Sequence, residues 1–140
     1  MNDIPKWENE YMSRTDELLN TPYWIVDILP AQVPKGSPGQ YFSIEDFFLR
    51  EQLAEIKRKH LNVILKLNCY MDISLKGELN PPPERVRTVM DEEYVYILAG
   101  DSMILSEPDD THLTVFNPDD RLLELLKILA SGEGMFVWKP

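Results

Sequence analysis

The longest regular alternation of apolar and polar positions in the chain lies over residues 61–75, LNVILKLNCYMDISL. Its eight odd positions, beginning at Leu61 and closing with Leu75, are all apolar, and the even ones are mostly polar. A period of two puts these sets on opposite faces of a pleated strand. The pattern therefore predicts one long strand, packed on one face and wet on the other, around which the fold is organised. Fifteen residues is long for a single strand, so a bend is expected near residues 68–70.

Shorter runs flank it. Residues 23–29 (YWIVDIL) predict a strand interrupted by Asp27, an unfavourable residue there unless it faces water or has a partner. Residues 94–98, 103–106 and 112–116, separated by turn signals at Gly100-Asp101 and Pro108 to Asp110, predict an antiparallel meander. Residues 135–138 supply a last strand, and the Pro/Gly-rich residues 30–40 form a long loop.

Helical spacing appears between these runs. Ser43, with Asp46 at the reciprocal position, is expected to cap a helix whose inner side carries Phe48, Leu49, Gln52, Leu53 and Ile56. Lys57, Arg58 and Lys59 complement its dipole, with His60 as a last-turn partner. Pro81 to Pro83 opens a short helix over residues 84–90, with Val86, Val89 and Met90 inward. Asn117, Pro118 and two aspartates start a leucine-rich helix over residues 119–130, with only a narrow polar stripe. That stripe predicts deep packing, against the sheet or against a second copy in a homodimer. Residues 1–20 read as an N-terminal arm, with Ile4, Trp7 and Tyr11 at helical spacing, a short helix from Ser13, and Trp7 and Tyr11 packing the arm onto the body.

The expectation is a single α+β domain over residues 1–140: a mainly antiparallel mixed sheet with two principal helices packed on one face and the other face partly exposed. Its net charge of −10 disfavours a nucleic-acid partner. Between residues 78 and 124, twelve carboxylates face three arginines, so nine of the ten excess negative charges lie there. No apolar window approaches a membrane span, and the start lacks a signal-peptide pattern, so a cytoplasmic protein with no membrane partner is expected.

The familiar catalytic and nucleotide-binding motifs are absent. His60, His112 and Cys69 are the only soft metal ligands, so neither a metal nor a cofactor is expected. Cys69, in register with Leu67 and Met71, reads as a buried small hydrophobe. The polar face of the long strand offers Lys66, Tyr70 and Asp72 as a row. Asp27 would meet Lys66 or Asp72 if the two strands were neighbours.

Two functions follow. The first is a non-catalytic acidic protein that binds a basic partner, in the manner of an inhibitor or immunity protein, through Glu107, Asp109, Asp110, Tyr70 and Lys66. The alternative is a small hydrolase or ligand-binding enzyme using Asp27, Tyr70, Asp72 and His112, which requires one pocket to unite at least two of them.

Overall fold

The computed structural model describes residues 6–140. Ile4 lies outside the described residues, as does the side chain of Trp7. The chain is an α+β protein built on one seven-stranded antiparallel sheet. In chain order it runs α1 (Lys6–Leu18), β1 (Tyr23–Asp27), α2 (Tyr41–Glu51), α3 (Leu53–Leu67), β2 (Ser74–Leu75), β3 (Glu78–Leu79), α4 (Pro83–Glu92), β4 (Val95–Ala99), β5 (Ser102–Ser106), β6 (Leu113–Phe116), α5 (Asp120–Gly132) and β7 (Phe136–Trp138). The strand order is β3-β2-β4-β5-β6-β1-β7.

The expected long strand is not there. Residues 61–67 complete α3, and only Ser74 and Leu75 join the sheet. The deciding residue is Ile64, which the alternating pattern assigns to the wet face but which is fully buried. With Ile56, His60, Val63 and Leu67 it forms a single buried stripe at helical spacing. On another side, Asn62 and Lys66, four apart, both donate to Glu133, at 3.3 and 3.0 Å. Cys69 lies just past the helix and is exposed rather than buried.

The sheet's main core face is covered by α3, α4 and α5. Val63, Ile64 and Leu67, Val86 and Met90, and Leu122, Leu126 and Ala130 share one core cluster with Val26, Val95, Ile97, Ile104, Leu113 and Val115. Side chains alternate along strands, so the intervening residues face the other way. There α1 brings Leu18 against Met103 and Phe116. Tyr11 is pinned more specifically. Strand β2 covers β4 only at Ile97 and Leu98, and beyond that edge the Tyr11 hydroxyl accepts the free Tyr96 N–H at 2.9 Å.

Several boundaries differ from expectation. The helix α1 passes through Ser13 without a break. The helix expected from Ser43 starts at Tyr41 and breaks at Gln52, whose φ is −129°, into α2 and α3. Asp119, not Asn117, caps α5, accepting the Leu122 N–H at 2.7 Å. Asn117 instead takes a left-handed conformation, φ 56°, and donates to the Asp101 carbonyl. Lys76 and Gly77, both at positive φ, make the tight turn between β2 and β3. No helix among the described residues is long and apolar enough to cross a membrane.

Candidate functional site

The uncovered end of the second sheet face forms a cleft of about 520 Å³. Strand β1 and Trp138 of β7 make its floor, with His112, the residue before β6, beside them. Tyr41 and Glu45 of α2 and the loop after β1 make one wall, and Asp110 and Thr111 another. Asp27 reaches it because β1 ends there. The antiparallel register pairs Val26 with Leu113, so the next step sets Asp27 opposite His112. Asp27 shares the cleft face with Ile25 and Tyr23, while Val26 points into the core. This resolves the strand interruption noted in the sequence: Asp27 is the cleft-facing last residue of its strand.

His112 and Asp110 form the centre. The imidazole Nδ1 lies 2.8 Å from the Asp110 carboxylate, and both side chains are about one-third exposed. The hydrogen bond to Asp110 raises the imidazole pKa above its ordinary value, against the effect of burial. For Asp110, burial pushes upward, but the bond and charge of His112, with the Thr111 N–H, win and hold it at about 2. Asp27 shifts the other way. Burial raises its carboxyl pKa, only partly offset by the N–H of Ile28, which donates at 2.7 Å, and by His112. On the facing wall Tyr41 donates its hydroxyl to Glu45, which helps push the phenol up to about 12 and keeps it neutral.

The acidic loop behind the cleft is held from inside. Lys57, nearly inaccessible, donates to the Glu107 carbonyl at 2.7 Å, and burial lowers its pKa to about 8. His60, one turn later on α3, is fully buried, and neither ring nitrogen finds a hydrogen-bond partner among the described residues. Burial, followed by the charge of Lys57, drives it down to about 3. The Thr111 backbone is near enough to favour the charged ring but not to make a bond of normal geometry.

The candidate residues divide. Asp27, Asp110 and His112 meet in the cleft. Glu107 stands just behind, and its carboxyl, raised by burial and by contact with Asp110, completes with Asp110 and His112 a set of possible metal donors within 4.8 Å of one another. Three donors, one of them an imidazole, fall short of a calcium site and equal the number an open zinc site takes from a protein, but His112 Nδ1 already faces Asp110. Asp109 is exposed and accepts the Tyr94 hydroxyl at 2.5 Å. Tyr70, Asp72 and Lys66 lie outside the cleft. Tyr70 borders a separate depression of about 90 Å³ beside Gly100 and Arg121. Asp72 accepts from Asn80 at 2.8 Å, and Lys66 pairs with Glu133. Asp27 therefore meets neither Lys66 nor Asp72, because β1 lies between β6 and β7.

Sequence reasoning missed Tyr41, Glu45 and Trp138. The i to i+4 spacing of Tyr41 and Glu45 was a usable signal once the helix is started at Tyr41. Trp138 faces the cleft with its indole N–H donated to the Leu29 carbonyl at 3.1 Å. Comparison with known proteins returns no match: no family model fits the chain, and no curated protein or solved structure resembles it significantly.

Proposed function

We propose that this protein is a non-catalytic recognition protein whose cleft receives a cationic side chain of a basic partner. The observation that carries the reading is the charge of the lining. Asp27, Glu45 and Asp110 contribute carboxylates, and among the described residues the lining includes no Lys or Arg. Partly buried carboxylates are screened less than surface ones, so a guanidinium or ammonium among them gains more than it would on an open acidic surface. Tyr41 and Trp138 supply aromatic faces against which a cation packs well. Nucleic acid would be repelled by the same charges.

A second reading has one specific observation in its favour. Asp110 fixes His112 through Nδ1, the arrangement that leaves Nε2 as a general base, and Asp27 stands opposite with a raised pKa. Among the described residues the lining includes no Ser, Cys or Lys, so the attacking group would be water or one of the lining's own carboxylates or hydroxyls. Peptide display separates the two readings. A random library panned against the wild type and counter-selected against an Asp27→Asn/Asp110→Asn variant should enrich sequences bearing Arg or Lys. Enrichment without basic residues would remove the recognition reading.

A further inference from the structure

The cleft is one half of a larger surface. A second concavity, of about 580 Å³, runs along the loop of residues 32–40 and the first turn of α2. It shares Leu29, Gln32, Val33 and Tyr41 with the cleft, so the two are continuous. Its character differs, since its lining holds Phe42 and Ile44 with Lys35 and no carboxylate, so the acidic cleft alone supplies the site for a cation. Helix α2 buries none of its residues fully. Phe42 is 82% exposed, and Ile44 and Phe47 are also exposed. The Phe42 ring packs edge-on against Tyr41 and Phe47 against Phe48, yet among the described residues α2 leaves three large apolar side chains exposed to solvent, a surface suited to a partner.

Resting on the recognition reading above, we propose that the partner is an extended segment of a basic protein, carrying an Arg or Lys beside large apolar residues. The cation enters the Asp27–Asp110 cleft and the apolar residues cover Phe42 and Ile44. Charge complementarity selects this occupant. An anionic membrane or a nucleic acid would meet the three carboxylates unfavourably. A second copy of this chain would bring another net charge of −10. A small cationic metabolite would satisfy the cleft and leave the apolar half uncovered. Two adjoining concavities of this size match several consecutive side chains of a peptide, with alternate residues seated and main chain between them.

The test uses the full chain and three synthetic ten-residue peptides of Gly/Ser background, titrated by fluorescence anisotropy at low and moderate salt. One carries a single Arg, one carries Trp and Leu, and one carries Arg followed by Trp and Leu. The bipartite peptide is expected to bind at least about tenfold tighter than the Arg peptide, a difference of about 1.4 kcal/mol. Phe42→Ser should cut its affinity to that of the Arg peptide while leaving the Arg peptide unaffected. Asp27→Asn should weaken both Arg-containing peptides. Because Phe42 is exposed, the Ser variant should retain the wild-type melting temperature. If the Arg peptide binds but Trp and Leu add nothing, or if Phe42→Ser changes nothing, the bipartite proposal is wrong and the cleft reading stands. If no Arg-containing peptide binds, the cleft reading fails too. A dimer in light scattering that Phe42→Ser abolishes would assign α2 to a second copy and overturn the proposal.

Discussion

His112 Nδ1 and Asp110 Oδ1 lie 2.8 Å apart in the lining of the acidic cleft, two residues apart in the chain. Each sets the ionisation of the other: Asp110 raises the imidazole and, with the Thr111 N–H, the imidazole overcomes burial to hold the carboxyl at about 2. Asp110→Asn keeps an oxygen acceptor but removes the charge. The remaining burial should then carry the His112 pKa downward, to or below its ordinary value. NMR titration of the imidazole resonances reads this directly, and an unchanged midpoint would show that Asp110 does not control His112.

The pair also gives stability a pH signature. His112 is raised in the folded state, so its contribution is complete below about 6.5, the ordinary value, and is lost as pH rises through the folded value. Asp110 contributes above its ordinary value near 3.8 and loses that contribution as pH falls towards about 2. Chemical denaturation of the wild type and of His112→Gln from pH 5 to 9 should show the largest difference at the acid end. A constant difference across the range would contradict the assignment.

Binding of a cationic peptide should weaken on acidification. Asp27, raised by burial, takes up its proton earlier than an exposed aspartate, and His112 gains one in a higher window. Both changes reduce the negative charge that faces the ligand, while Asp110 stays ionised. The Arg peptide should therefore bind more weakly at pH 5 than at pH 8. Asp27→Asn should flatten the lower part of the profile. Tighter binding at pH 5 would mean that the cleft does not recognise positive charge.

The meander, the short terminal strands and α4 were legible because turn chemistry and alternation agreed there. Val95 to Ala99 reads buried and half-buried in strict turn, as the pattern requires. The segment at 61–75 was misread because Val63, Leu65 and Leu67 satisfy a period of two while Val63, Ile64 and Leu67 satisfy a helix. Ile64 was the one residue that discriminated. That error also displaced the site. With a strand imagined through Lys66 and Asp72, Asp27 was offered the wrong neighbours, whereas the true neighbour, His112, depended on β1 pairing with β6. Nothing local in the sequence encodes that pairing. The leucine-rich stripe of α5 does not by itself require a second copy. Leu122, Leu126 and Ala130 are buried by α5's own chain, and Ile128 is the exposed large side chain of that helix.

His60 makes a separate prediction about the core. The folded protein holds this buried ring neutral down to about 3, whereas the unfolded chain takes a proton near 6.5. Stability should therefore rise with pH across that window and fall on acidification through it. His60→Leu removes two nitrogens that make no hydrogen bond of normal geometry among the described residues, and fills similar space. It should raise stability at pH 5 by roughly 1–3 kcal/mol and reduce the acid sensitivity. Denaturant melts at pH 7 and pH 5 would check both effects. Destabilisation at both values would mean that the ring's nitrogens have a structural role after all.

Two adjacent residues at the end of α3 test the corrected helix. Leu67 is fully buried among α3, α4 and sheet residues, so Leu67→Asp places an unpaired carboxylate in the core and should cost more than about 4 kcal/mol. Had residue 68 belonged to the wet face of a strand, Asn68→Asp would be nearly neutral. In the observed fold the Asn68 side-chain amide donates to the Met71 carbonyl at 3.1 Å and to Asn80 Oδ1 at 2.7 Å. Asn80 in turn accepts the Ile73 N–H and donates to Asp72, fastening the β2–β3 hairpin to the helix end. A carboxylate at 68 would lose both donors and confront two oxygens, so Asn68→Asp should cost roughly 1–3 kcal/mol. Asn68→Ser, which loses reach but adds no charge, should cost less. Thermal and denaturant melts of the three variants would order them Leu67→Asp, Asn68→Asp, Asn68→Ser from most to least harmful. A neutral Asn68→Asp would mean that the amide network does not hold this hairpin.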